Sequence, residues 1–199
     1  MTTQAHESST AAEVSSRERL LSSVADLILE RGVGELSLSE VARFIGSNNR
    51  MLLYYFGSKE QLLNAACLVA FARFPHVEGM IDRLQRGPGT PRQRLEAAWR
   101  DIAHPDNRPF LALFFESFGI ALHHPNRNRS FFEHIAASWV PEVQTVLVEA
   151  GIPSADAHLV ATQIIATWRG LQFSLLLGTP REVLDAAYDA MIVSVLPAA

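Results

Sequence analysis

The sequence predicts an all-α protein, with a small N-terminal domain of three helices followed by a larger helical body. Three observations carry that expectation. Apolar residues recur at helical spacing along most of the 199-residue chain, and beyond residue 63 no stretch shows the two-residue alternation of a strand. Ser and Thr caps, Pro and Gly punctuate the helical segments. The stretch Leu36 to Leu63, LSLSEVARFIGSNNRMLLYYFGSKEQLL, reads as two short helices around a glycine turn, with a third opened by Gly-Ser-Lys-Glu.

Taken in order, residues 1–14 are polar, rich in Ser, Thr and Ala, and read as a flexible tail without the apolar core of a leader segment. Ser15 with Glu18 makes a capping box, after which Leu20, Leu21, Val24, Leu27 and Ile28 form one apolar face that ends at Gly32 and Gly34. Ser37 and Glu40 form a second box and start SEVARFI, with Val41, Ala42 and Ile45 inward and Gly46 as the stop. A third helix begins near Ser47 or Asn48 and runs to Phe56. Ser58 with Gln61 caps a fourth, whose first residue is Lys59. These spacings place a first domain at residues 15–62 and a second at 63–199.

A short helix, a three- to four-residue turn with Gly and a second short helix lay the latter across the major groove of duplex DNA. The residues at its start then meet base edges: Ser47, Asn48, Asn49 and Arg50. Asn pairs bidentately with adenine and Arg with guanine, each worth roughly 1–3 kcal/mol of discrimination. Tyr54 and Tyr55 lie further along and have the length to reach phosphate. Lys59, the only lysine of the chain, opens a helix where the dipole favours an anion, and Ser37 sits at a similar position. Packing roles compete for several of these: Asn48 as an N-cap, Tyr55 and Phe56 as core, Met51 and Leu53 as core or turn packing, and Arg43 as a solvated charge.

Residues 16–63 resemble the DNA-binding domain of the TetR family of transcriptional regulators. The resemblance rests on Ser37, Val41-Ala42, Gly46, Leu52, Tyr54-Tyr55-Phe56 and Gly57-Ser58-Lys59-Glu60-Gln61-Leu62 in one unbroken register. Where the family often has Lys-Gly-Thr-Leu-Tyr, this chain has Asn49-Arg50-Met51-Leu52-Leu53. Leu53 therefore stands at the place of a phosphate-contacting Tyr, with Tyr54 as its candidate replacement. The resemblance implies a TetR-like fold and a homodimer paired through its two C-terminal helices. It also implies a ligand that moves the connecting helix and releases a repressor from DNA.

Composition alone points elsewhere. The formal net charge is −4, and within Ser16 to Glu60 each basic residue is matched by an acid, so non-specific attraction to phosphate is expected to be weak. Cys67 is the sole cysteine, which excludes an internal disulfide and fits a reducing cytoplasm; it reads as a small packing residue. The long apolar stretch Ala157 to Gly178 is broken by Thr162, Gln163, Arg169 and Gln172, so it reads as an interface helix and not a membrane span.

The body divides at Pro and Gly into segments His76 to Arg86, Pro91 to Ala103 and Asn107 to His123. A segment capped by Ser130 and Glu133 follows, interrupted at Pro141, and then Ser154 to Leu177 and Pro180 to Leu196, the last with Thr179 as its cap. The last two carry more apolar surface than one face needs. Ile164, Ile165, Trp168, Leu171, Leu175, Leu184 and Met191 are the expected dimer interface, which would set two reading heads on a palindromic operator. Phe71, Trp99, Phe110, Phe114, Phe118 and Trp139 are the candidate lining of a pocket for a small apolar or aromatic ligand, with Arg100, Glu116, Ser117, His123 and His134 as polar candidates. Neither a phosphate loop nor a nucleophile elbow occurs. His104, Glu133, His134 and adjacent His123 and His124 lack metal-ligand spacing, so no enzyme, cofactor or metal is expected.

Overall fold

Most helices start where the sequence writes a cap. The computed structural model describes residues 2–34, 36–74, 76, 79–123 and 139–196, and every α or β element among them is helical. The N-terminal helices are α1 (Thr2–Arg31), α2 (Leu38–Phe44), α3 (Asn49–Phe56) and α4 (Lys59–Phe71). The body contains α5 (Met80–Arg86), α6 (Pro91–Ile102), a 3-10 turn at Pro105–Asn107, α7 (Arg108–His123), α8 (Trp139–Glu149), α9 (Ser154–Leu176) and α10 (Arg181–Val195). Ser37 and Thr90 form complete capping boxes with Glu40 and Gln93, while Asn48 and Ser58 cap α3 and α4 through single side-chain bonds.

Three expectations about helix ends give way. α1 begins at Thr2 and not at Ser15, so the segment expected to be a flexible tail is helical and the Ser15–Glu18 box does not form. Residues 2–14 contain neither Gly nor Pro, and a nucleated helix extends through Ala, Glu and Gln at little cost. α10 is preceded by Pro180 as its N-cap, with no side-chain cap from Thr179. Pro141 is the third residue of α8, which continues undivided to Glu149. A proline there forgoes no intrahelical bond within the first turn. Ser130, Glu133, His124 and His134 lie outside the described residues.

Two apolar cores result. The first gathers Leu21, Val24, Leu27 and Ile28 of α1, Val41 and Ala42 of α2, and Leu52 and Phe56 of α3. It continues through α4 as far as Ala70 and takes in Leu113 of α7. Arg73, just past α4, ties back to α1 through Asp26 and the backbone and hydroxyl oxygens of Ser22. The second core joins α5, α6, α8, α9 and α10 around Leu84, Leu95, Leu147, Ile164 and Ile192. Its buried polar groups are paired across helices: Tyr188 donates to the Leu95 carbonyl at 2.8 Å and Trp99 Nε1 to Asp185 at 2.7 Å. The buried Arg94 bonds Glu149 and the Gln85 carbonyl.

α7 links the two cores. Leu113 packs into the first, Phe115 meets Phe173 of α9 edge-on at 5.4 Å, and Glu116 reaches the loop after α1. The Glu116 carboxylate accepts the amides of Val33 (3.0 Å) and Gly34 (2.7 Å). Gly32 makes this approach feasible. It lies at φ +78°, where glycine is at ease, and a Cβ there would sit 2.5 Å from a Glu116 oxygen. No described helix is long and apolar enough to cross a membrane.

Candidate nucleic-acid interface

The second and third helices meet at Gly46, whose φ of +65° turns the chain between them. Ser47 is half-buried in that turn and its amide bonds the Ala42 carbonyl at 2.8 Å, which closes α2. α3 is anchored by only two fully buried side chains one turn apart, Leu52 and Phe56. Truncating either to alanine removes core worth about 2–5 kcal/mol. Everything on the opposite side faces solvent: Asn49 and Leu53 form one row, Arg50 and Tyr54 the next.

Each predicted contact residue now has a definite setting. The Asn48 side-chain oxygen accepts the Met51 amide at 3.0 Å, so it is the N-cap, and its amide group remains turned to solvent. Asn49 Nδ2 donates to Ser39 Oγ at 3.0 Å, which couples the start of α3 to α2. Arg50 is exposed and makes no hydrogen bond or ion pair with any described residue. Tyr54 is 69% exposed and meets Tyr55 edge-on, while Tyr55 packs partly against the first core.

Ser37 and Lys59 are occupied within the chain. The Ser37 hydroxyl and amide both donate to the Glu40 carboxylate, at 2.6 and 2.8 Å, and hold that carboxyl below its ordinary pKa. Lys59 Nζ donates to the Leu36 carbonyl at 3.0 Å, which fastens the start of α4 beside the start of α2. An ammonium has three donors, so this bond leaves Lys59 capacity for a phosphate.

Met51 and Leu53 do not pack in the core or turn: they are 40% and 43% exposed beside Asn49 and Arg50. The signal was available in the spacing, since Leu52 and Phe56 inward leaves positions 51 and 53 outward. Such exposed apolar atoms on a short polar helix suit a thymine methyl.

Residues 20–66 match the sequence model for "Bacterial regulatory proteins, tetR family". The N-terminal domain is a TetR-family DNA-binding domain. Among curated proteins no sequence matches the chain. Solved structures agree on the fold over nearly its whole length. A Rhodococcus sp. protein described as a TetR-family transcriptional regulator superposes with a TM-score of 0.73 at 22% identity, covering 91% of this chain and 98% of the other. The reduced form of E. coli NemR gives 0.72 at 22% identity, covering 92% and 99%. AibR, solved with isovaleryl coenzyme A and operator DNA, gives 0.59 at 21% identity, covering 91% and 98%.

Behind the TetR-family head, the candidate ligand residues fall into two groups. Phe71, Phe110, Phe114 and Phe118 come together: Phe71 lies 5.1 Å from Phe110, and Phe114 lies 5.9 Å from Phe110 and 4.7 Å from Phe118. Trp99 and Trp139 do not join them. Trp99 is buried in the second core against Tyr188 at 5.4 Å, and Trp139 packs on Trp168 at 6.3 Å. Burial raises the Tyr188 phenol above its ordinary pKa. Of the polar candidates, Glu116 is spent on the head, Ser117 is buried, and Arg100 and His123 are exposed. His76, His104 and Asp106 bring potential ligand atoms within 4.8 Å of one another, a grouping that reading His104 alone did not foresee. Their imidazoles stack at 3.8 Å, and His104 Nδ1 accepts the Asp106 amide.

The expected dimer residues also divide. Ile164, Ile165, Trp168 and Leu184 are buried in the chain's own core, so they have almost no surface left for a partner. Leu171, Leu175 and Met191 pack against that core and remain partly open. The uncovered stripe of α9 is instead Leu159, Gln163, Ala166, Gly170 and Phe173, continuing to Leu177 just past its end, with steps of four and three. On α10 it is Val183, Ala187, Ala190 and Val193. An apolar helix shows its surplus in sequence, but which face its own domain covers depends on packing.

Proposed function

We propose that the protein is a homodimeric transcriptional repressor that reads a palindromic operator with α3 and is released by a small organic ligand bound in its helical body. One observation carries the reading: the outer face of α3 holds Asn49, Arg50, Leu53 and Tyr54 in two adjacent rows, rigidly backed by Leu52 and Phe56. Arg50 supplies the guanine-type contact, the free amide of Asn48 and the exposed Asn49 flank it, and Tyr54 and Lys59 take phosphate. Leu53 and Met51 supply apolar contact. Ser37, Ser47 and Tyr55 position this surface.

Pairing proceeds through the exposed stripes of α9 and α10, whose heptad-like spacing fits a four-helix bundle with a second copy. Leu171, Leu175 and Met191 flank that seam. Two heads then face DNA in the same sense, roughly 34–36 Å or a multiple apart. The ligand sits against the phenylalanine group on α4 and α7. α4 is continuous with the head and α7 holds the head loop through Glu116, so a ligand that prefers one arrangement of these helices shifts DNA affinity. The division of labour is reading within residues 15–62 and ligand binding and pairing within 63–199, in a protein of the cytoplasm. Catalysis has no part in it.

Selection of duplexes from a random pool by the purified protein tests the proposal. A symmetric motif with half-sites at that spacing is expected. An enriched motif without symmetry would remove the dimeric reading, and no enrichment would remove sequence-specific recognition altogether.

A further inference from the structure

Arg73, Arg94 and Arg181 each meet a carboxylate, from Asp26, Glu149 and Asp185 respectively. Arg169 does not. Its guanidinium turns inward from α9 onto α7, 4.4 Å from the centroid of the Phe114 ring and 5.8 Å from that of Phe118. It is half-buried and makes no hydrogen bond or ion pair with any described residue. Five N–H donors in a planar fork are thus withdrawn from water with only ring faces in return. Burial alone lowers the group to a pKa of about 10, so it stays cationic at neutral pH.

Other polar groups on the same two helices share this condition. Gln172, one turn along α9 from Arg169, has a buried side-chain oxygen without a partner. Ser117, between Phe114 and Phe118 on α7, has a buried hydroxyl without one. Both side chains are more than nine-tenths buried. Buried polar groups are nearly always paired, so unpaired ones gathered on facing helices call for an absent partner. Room exists along the same seam: a cavity of about 250 Å³ opens between Arg108 and Leu111 of α7 and Leu175 and Leu176 of α9.

We infer that the effector is an organic monoanion, a carboxylate on an apolar or aromatic body, whose carboxylate pairs with Arg169 while its body lies against Phe114 and Phe118. This rests on the proposal above that the body holds a ligand. A single guanidinium matches a single carboxylate bidentately and leaves no second cation for a polyphosphate. Ser117 and Gln172 add one donor each beside it. Glu116 lies on the same face-turn of α7 as these rings and holds the head loop, so an anion that draws α7 toward α9 acts directly on the head.

The test uses the full-length protein and matched probes: 4-phenylbutanoate against 4-phenylbutanamide, and the straight-chain acids from butanoate to dodecanoate against their amides. Binding is measured by calorimetry, and release from the selected duplex by anisotropy. At least one acid is expected to bind tenfold or more tightly than its amide. Arg169→Met should abolish that preference, leave amide binding unchanged and melt no lower than the parent without ligand. Arg169→Lys should restore part of the preference.

An amide that matches its acid, or an acid preference that survives in R169M, overturns the inference. Dissociation of the R169M dimer would place the guanidinium in the subunit contact and also overturn it. If neutral amides bind and release DNA while acids do not, the ligand-responsive reading stands and the anion fails. If neither series binds or releases DNA, both fall.

Discussion

Arg50 is exposed at the start of a helix whose opposite face is locked into the core, and nothing within the chain neutralises it. Arg50→Ala should therefore cost about 1–3 kcal/mol at the preferred duplex and flatten discrimination at one base position, with the dimer intact. Titration against single-base variants of the site checks this, and an unchanged preference would assign reading to Asn48 and Asn49 instead. Cys67 illustrates the opposite fate. Burial beside the first core pushes its thiol up to about 12, so the neutral form is the folded one. Because the folded pKa is raised, the associated stability is complete below the unfolded thiol's pKa and is lost as pH rises toward 12. At pH 8 a disulfide reagent should label the native protein slowly and the denatured protein at once; rapid native labelling would contradict the packing.

At the scale of elements, two bonds hold the reading head in place. Lys59 reaches the Leu36 carbonyl, and Glu116 gathers the amides of Val33 and Gly34. Lys59→Met should lower stability by about 0.5–1.5 kcal/mol without DNA present, and should reduce the salt slope of DNA binding by about one. Lower stability with an unchanged slope would make Lys59 a structural link alone. Glu116→Gln keeps the shape but loses the charge, and should cost about 1–2 kcal/mol of charge-assisted bonding. Amide exchange at Val33 and Gly34 should quicken in that variant; unchanged protection would mean the loop needs no such hold.

These links show where sequence reading stops. Ser37 with Glu40, Asn48 and Ser58 were legible because a cap bonds within three residues of itself. The outward positions of Met51 and Leu53 follow from spacing once Leu52 and Phe56 are taken as inward. The Glu116 contact spans 83 residues, and no local pattern announces it. The start of α1 was misjudged because a good capping box at Ser15 is overridden when the residues before it carry no breaker.

For the whole molecule, the uncovered stripes on α9 and α10 decide how two heads are spaced. Leu177 is 72% exposed and Val193 66% exposed, unlike Ile164 and Leu184 in the core. Leu177→Glu with Val193→Glu should yield a folded monomer with DNA affinity reduced by orders of magnitude, because each head then binds alone. Light scattering after gel filtration measures it, and a dimer that persists would move the interface elsewhere. The helical class and the order of domains were readable from periodicity and caps. Which apolar face belonged to a partner was not, because Trp168 and Phe173 look equally apolar in sequence and only packing buries one.

The most direct measurement is fluorescence anisotropy of the full-length protein on its selected duplex and on a scrambled control, across a salt series. The account predicts tight, salt-sensitive binding to the selected duplex at two chains or a multiple per site, and only weak binding to the scramble, as a head without excess positive charge requires. Equal binding to both duplexes would contradict the assignment of α3 as a reader of sequence.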